Sequence, residues 1–187
     1  MGRIILVTGG ARSGKSSFAE QLLAGFGPEV GYIATAQALD AEMEDRIAKH
    51  RRQRPESWRT FEAPTRPSAI IAAHGEEAFA ALLLDCLTVM ITNRMLAQTM
   101  DWDQPTVAQL NAVEADVLAE IEAIIAAASA GRADLIAVTN EVGCGIVPIN
   151  PLSRFFRDCA GRVNQRMAAA AAEVYWVVAG IPVRIKG

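Results

Sequence analysis

Few of the residues that mark a special architecture occur in this chain. Cysteine is limited to Cys86, Cys144 and Cys159, an odd number at wide spacing with no C-x-x-C pair and no flanking histidine, which excludes a disulfide framework and a zinc site and predicts reduced, non-metallic thiols. Histidine occurs only at His50 and His74, and lysine only at Lys15, Lys49 and Lys186 among eighteen basic residues. Twenty-one acidic residues outweigh that basic set and leave a net charge of −3. This is the wrong global sign for gripping a nucleic-acid backbone, so nucleic acid is not expected as a partner and any anion site must be local. Long apolar runs are missing too. None approaches the ~20 residues of a membrane span, and Ile4–Val7 is too short for the core of a signal peptide. A cytoplasmic protein is expected. There is no internal repeat and no low-complexity tract beyond alanine enrichment.

What is present fits one domain over residues 1–187, with ordinary globular proportions of 51% hydrophobic and 21% charged residues. Four short apolar runs, at 4–7, 81–84, 135–138 and 174–178, do not alternate and so suit strands buried on both faces of a parallel sheet. Residues 31–35 form a weaker fifth. Helical patterns lie between them: 16–24; 40–54 with Asp40 as N-cap; and 107–130 with apolar side chains at 107, 110, 113, 117, 121, 124 and 128. Asn150-Pro151 supplies an N-cap and a first-turn proline for a helix to about Ala172. Residues 55–67, rich in proline and without a period, read as a loop or an edge excursion. Alternating strand and helix predicts an α/β, mostly parallel sheet with helices on both faces.

Gly9, Gly10, Ala11, Arg12, Ser13, Gly14, Lys15 and Ser16 satisfy G-x-x-x-x-G-K-[ST] between a strand run and a helix pattern. Glycines let backbone N–H groups turn inward around phosphate oxygens, the helix N-terminus adds partial positive charge, Lys15 reaches the β and γ phosphates, and Ser16 holds Mg²⁺. Asp85 closes the run at 81–84 as a Walker B aspartate closes its strand, so it is a second expected holder of Mg²⁺. The competing reading makes it the N-cap of a following helix. A guanine-reading N-K-x-D is lacking, since Thr139-Asn140-Glu141-Val142 has neither the lysine nor the aspartate. Glu141 itself should stand at the carboxyl edge of the sheet, where open α/β folds bind ligands, as an orienting group or general base.

His74 falls in a polar turn and is expected to be exposed. His50 differs. On a helix from Asp40 it shares a stripe with Met43, Ile47 and Arg54. Arg46, Lys49, Arg51, Arg52, Arg54 and Arg59 stand around it against Glu56 alone, a polyanion site in an acidic chain. A neutral imidazole among cations keeps a ring nitrogen able to attack phosphorus, with guanidiniums to stabilise a departing pyrophosphate; the alternative is a solvated basic helix with an incidental histidine.

Taken together, the phosphate loop, Tyr32-Ile33-Ala34-Thr35-Ala36, Arg46-Ile47, His50 and Arg54, Leu84-Asp85-Cys86-Leu87-Thr88, Asn140-Glu141-Val142-Gly143 and Gly145-Ile146-Val147-Pro148 resemble the bifunctional adenosylcobinamide kinase and adenosylcobinamide-phosphate guanylyltransferase family of cobalamin biosynthesis. The likeness runs nearly end to end, departing at Val89-Met90 and Ala172-Glu173. It implies a RecA-like P-loop fold assembled as a homotrimer. The implied chemistry has two steps: an NTP, ATP or GTP, phosphorylates adenosylcobinamide, then GTP guanylylates His50, which passes GMP to the cobinamide phosphate. Nucleotide contacts carry over to the whole phosphate loop, Ala34, Thr35, Ala36, Arg51, Arg52, Gln53, Arg54, Glu62 and Asp85, and catalytic roles to His50 and Lys15. A simple P-loop metabolite kinase, or a non-catalytic nucleotide-binding regulator, are the competing classes.

Overall fold

The computed structural model describes residues 1–38, 44–45, 47–48, 51–52, 54–75 and 79–187. Seven strands share one sheet: β1 (Ile4–Gly9), β2 (Val30–Ala34), β3 (Arg59–Glu62), β4 (Ala81–Asp85), β5 (Asp134–Val138), β6 (Glu173–Val178) and β7 (Ile181–Lys186). Their order is β3-β2-β4-β5-β1-β6-β7, and every adjacent pair is parallel except β6 with β7. The helices are α1 (Lys15–Ala24), α2 (Pro67–His74), α3 (Leu87–Leu96), α4 (Val107–Ala130) and α5 (Pro151–Ala170), and the described residues within 44–52 are helical as well. Parallel pairing brings the carboxyl ends of β1 to β6 to one edge, which becomes the functional edge.

The runs in β1, β4 and β5 lack alternation because both faces are covered; the run in β6 departs from expectation, since β6 lies beside the antiparallel edge strand β7 and its Trp176 and Val178 are exposed. Ile5, Val7, Leu83, Ile136 and Val138 pack with Ala19 and Leu23 of α1, while Leu6, Ile33, Leu82, Leu84 and Leu135 pack with α2 to α5. In α4 the expected stripe is buried at Val113, Val117, Ile121, Ile124 and Ala128, and Thr106 with Gln109 forms a capping box. Val107 departs from expectation. As the first residue of α4 it lies before the stripe reaches the sheet, and its side chain is exposed. Asn150 caps α5 by accepting from the Ser153 N–H at 3.0 Å, with Pro151 in the first turn.

Four elements have no counterpart in the sequence reading. α3 follows β4 directly and buries Leu87, Met90, Ile91 and Met95, a helical spacing that was there to be found. α2 begins at Pro67, and the loop expected before it contains β3, a four-residue edge strand paired with β2. β7 is exposed along its length and antiparallel, entered through Ala179 and Gly180 at positive φ; its Pro182 sits on the sheet edge, where proline is tolerated. His74 is a correction: it ends α2 and stacks on the Phe61 ring, with centroids 4.5 Å apart, instead of standing in an exposed turn. Cys86 and Cys159 are buried and Cys144 is exposed, all three as free thiols.

Candidate active site

The phosphate loop leaves β1 and enters α1 under close steric control from its neighbour. A Cβ on Gly9 would stand 2.5 Å from the Val177 carbonyl oxygen, and Gly14, at φ 93°, would place one 3.1 Å from the Gly180 Cα. Both positions therefore require glycine. The turn between β6 and β7 also ties itself to the loop, the Gly180 N–H donating to the Ser13 carbonyl at 2.8 Å. Gly14 is the N-cap of α1 and supplies no side chain, so the helix N-terminus is left open for an anion. Lys15 is buried, its Nζ donating to the Gly10 carbonyl at 3.2 Å.

This loop forms one wall of a cavity of about 1090 Å³ at the carboxyl edge of the sheet. Ala11, Arg12, Lys15 and Ser16 line it from the phosphate loop, Tyr32, Ala34 and Ala36 from β2 and the residues after it, and Glu62 and Asp85 from the ends of β3 and β4. Ile47, Ala48 and Arg51 line it from the helical stretch and Arg54 from just after it, and Asn140, Glu141, Val142 and Phe156 from beyond β5. Ala34 pairs in register with both Glu62 and Asp85, so three strand ends meet there.

Asp85 does not cap α3, whose N-cap is Cys86 without a side-chain bond. Its Oδ2 accepts from the Tyr32 hydroxyl at 2.8 Å. Burial, and then the adjacent Asp85 carboxylate, push the Tyr32 phenol well above its ordinary value, so the hydroxyl keeps its proton and donates. The Arg54 guanidinium lies over the Tyr32 ring at 3.2 Å from its centroid and reaches Glu20 of α1 at 3.4 Å. Glu20, Arg54, Tyr32 and Asp85 thus form a chain from α1 across the cavity floor. Sequence reasoning missed Tyr32, whose contact depends on strand register rather than on any local pattern.

A second polar network backs the opposite side. The Asn164 side chain accepts from the Thr139 hydroxyl at 2.6 Å and donates to the Asn140 carbonyl at 3.1 Å, while the Asn140 amide donates to the Thr88 hydroxyl at 2.6 Å. The Glu141 N–H donates to the Gly9 carbonyl at 3.0 Å, and its carboxylate accepts from the Gly143 N–H at 2.6 Å.

Most of the described residues expected to bind nucleotide converge on this cavity. Thr35 does not line it: fully buried, its hydroxyl donates to the Cys86 carbonyl and accepts from the Cys86 N–H, fixing the junction of β4 and α3. Arg52 is exposed and outside the lining, and Arg51 pairs with Glu62 at 3.0 Å. His50 and Gln53 lie outside the described residues. Ser16 and Asp85 offer hard oxygen donors facing one cavity, and no group of three or more metal-ligating side chains occurs among the described residues. That donor set suits Mg²⁺ held mainly by nucleotide phosphates and water, and not an all-protein cage.

Comparison with known proteins gives the site its context. The chain is 51% identical over 183 residues to the bifunctional adenosylcobalamin biosynthesis protein CobU of Salmonella typhimurium, covering 98% of this chain and 99% of that one. It is 43% identical over 182 residues to the bifunctional protein CobP of Pseudomonas aeruginosa, covering 97% and 96%. Among solved structures, a KaiC-like protein from Pyrococcus horikoshii matches with a TM-score of 0.50 at 10% identity, over 93% of this chain and 70% of that one, a likeness of fold. The sheet thus has the RecA-like P-loop fold. The family model described as cobinamide kinase / cobinamide phosphate guanyltransferase matches residues 5–185, and the chain belongs to that family.

Proposed function

We propose that this one cavity serves both reactions, with His50 carrying GMP from GTP to the cobinamide phosphate in the second. The chain is an enzyme of cobalamin biosynthesis with kinase and guanylyltransferase activities. The observation that carries the site reading is convergence: Lys15, Ser16 and Asp85 share a cavity with Ile47, Ala48, Arg51 and Arg54, which bracket position 50 in sequence.

In the first step the cobinamide hydroxyl attacks the γ-phosphorus of ATP or GTP, and the nucleoside diphosphate leaves. Lys15 neutralises charge at the β and γ oxygens, the open N-terminus of α1 receives the phosphates, and Glu141 orients the hydroxyl. Ser16 and Asp85 would hold Mg²⁺, which would supply charge neutralisation at the phosphates. In the second step an imidazole nitrogen of His50 attacks the α-phosphorus of GTP, and pyrophosphate leaves while Arg51 stabilises its charge. A phosphate oxygen of the cobinamide phosphate then attacks the guanylyl phosphorus, the P–N bond breaks, and adenosylcobinamide-GDP and free His50 result. One domain over 1–187, in the cytoplasm, carries both steps, and Arg12, Gln53, Arg54 and Glu62 complete the nucleotide shell.

A homotrimer belongs to this reading. Its support is an apolar sheet face not covered by helices, where Trp176 pairs with Val183 and Val178 with Ile181, all four exposed. No helix among the described residues is long and apolar enough to cross a membrane.

The test separates the chemistries. His50→Ala should abolish covalent labelling from α-labelled GTP and abolish GMP transfer, yet leave NTP-dependent phosphorylation of cobinamide largely intact. His50→Asn should behave alike, because an amide hydrogen-bonds without being a nucleophile. Retained acid-labile label in either variant removes His50 from the mechanism.

A further inference from the structure

Between the cavity wall and α5 runs a segment that the two-step chemistry does not use. Residues 142–153 contain no charged side chain, in a chain where 21% are charged. Within it Ile146 and Ile149 are 96% and 95% exposed, and Val147 is 57% exposed. Apolar side chains this open to water in a slack loop would be unremarkable taken singly, but this loop is held at both ends. Glu141 accepts from the Gly143 N–H at 2.6 Å, and Arg154 of α5 donates to the carbonyls of Pro148, at 3.1 Å, and Ile149. The backbone is therefore fixed in a form that turns its apolar side chains outward, against the hydrophobic effect.

The segment is also continuous with the cavity. Val142, which opens it, lines the cavity beside Glu141, and so does Phe156 of α5 just beyond it. An uncharged apolar rim is a poor surface for a triphosphate. It fits the other reactant, a broad macrocycle with apolar faces that carries its hydroxyl at the tip of a flexible arm. Such a molecule can rest its body on the rim and reach the nucleotide with the arm alone.

We propose that the loop of residues 143–149 is the docking surface for the corrinoid macrocycle, with Ile146, Val147 and Ile149 against its apolar face and Glu141 at the point where the arm enters the cavity. The proposal rests on the two-step reading above. It assigns the loop to the acceptor and the phosphate loop to the donor, so the two substrates are held by separate surfaces.

Cys144 lies in this loop as the exposed thiol, whereas Cys86 and Cys159 are buried with their thiols pushed up by burial. It is a built-in reporter. In the unmodified protein, saturating adenosylcobinamide should protect Cys144 from N-ethylmaleimide, read by peptide mass, while GTP alone should not. Ile146→Asp and Ile149→Asp should each raise the KM for cobinamide about tenfold or more, the share of one buried isoleucine, with kcat, thermal midpoint and GTP-dependent protein labelling unchanged. Wild-type turnover without protection of Cys144, or an unchanged KM in both variants, overturns the docking surface and leaves the two-step reading standing. Absence of any wild-type turnover of cobinamide overturns both. A Cys144 that resists alkylation in the free protein, together with a fall in oligomer mass in the aspartate variants, assigns the loop to a second copy of the chain and also overturns the proposal.

Discussion

Tyr32 occupies the position where a conservative change says most. Its hydroxyl donates to one oxygen of Asp85, a carboxylate that lines the cavity, while its ring is gripped by Arg54. Tyr32→Phe keeps the packing and removes only the donor. Loss of a hydrogen bond to a charged acceptor should weaken Mn²⁺ binding, with Mn²⁺ standing in for Mg²⁺ on a non-hydrolysable nucleotide, by about tenfold. Because Asp85 borders a cavity that water can enter, the thermal midpoint should hardly move. An unchanged metal titration, followed by electron paramagnetic resonance, would reduce Tyr32 to a packing residue. The phosphate loop and Asp85 were legible in the sequence because a contiguous motif ending one strand needs no partner to be read. Tyr32 and Asn164 were not, since each acquires its role only when another strand end or helix is brought beside it.

At the scale of elements, the helices differ in what starts them. α4 opens with the reciprocal bonds of Thr106 and Gln109, and α5 with Asn150 accepting from the Ser153 N–H and hydroxyl. Thr106→Ala and Asn150→Ala should each cost about 1 kcal/mol, within the usual range of roughly 0.5–2 for a lost cap, and lower the melting midpoint by about 2–4 °C for a chain of this size. Only Asn150→Ala borders the loop at 143–149, so only it should also alter alkylation of Cys144; equal effects of both variants on that thiol would break the argument. These two helices were readable because caps and apolar stripes are local signals. α2 and α3 carry such signals in shorter form, with Pro67 at one start and Leu87, Met90, Ile91 and Met95 along the other. β7 carries one as well, an alternation of Ile181, Val183 and Ile185 with Pro182, Arg184 and Lys186, although all of them are exposed; it forms a strand because β6 offers a ladder after the turn at Ala179-Gly180.

For the whole molecule, the uncovered face of β6 and β7 predicts an assembly. Two cross-strand apolar pairs side by side, Trp176 with Val183 and Val178 with Ile181, form a surface that a lone chain leaves wet. The wild-type protein should sediment at three times the chain mass, and Val183→Glu should shift it toward the monomer while leaving the phosphate-loop wall in place. A wild-type monomer at micromolar concentration would end the trimer reading. The hydrogen bond from the Glu141 N–H to the Gly9 carbonyl has a consequence of another kind. It joins the phosphate loop to the segment proposed to lead to the acceptor, so the two occupancies are expected to be coupled through a shared backbone contact. Coupling of that sort is reciprocal: by whatever factor a nucleotide alters the dissociation constant of the corrinoid, the corrinoid must alter that of the nucleotide by the same factor. The strength of this link can therefore be measured from either partner, and the two determinations must agree.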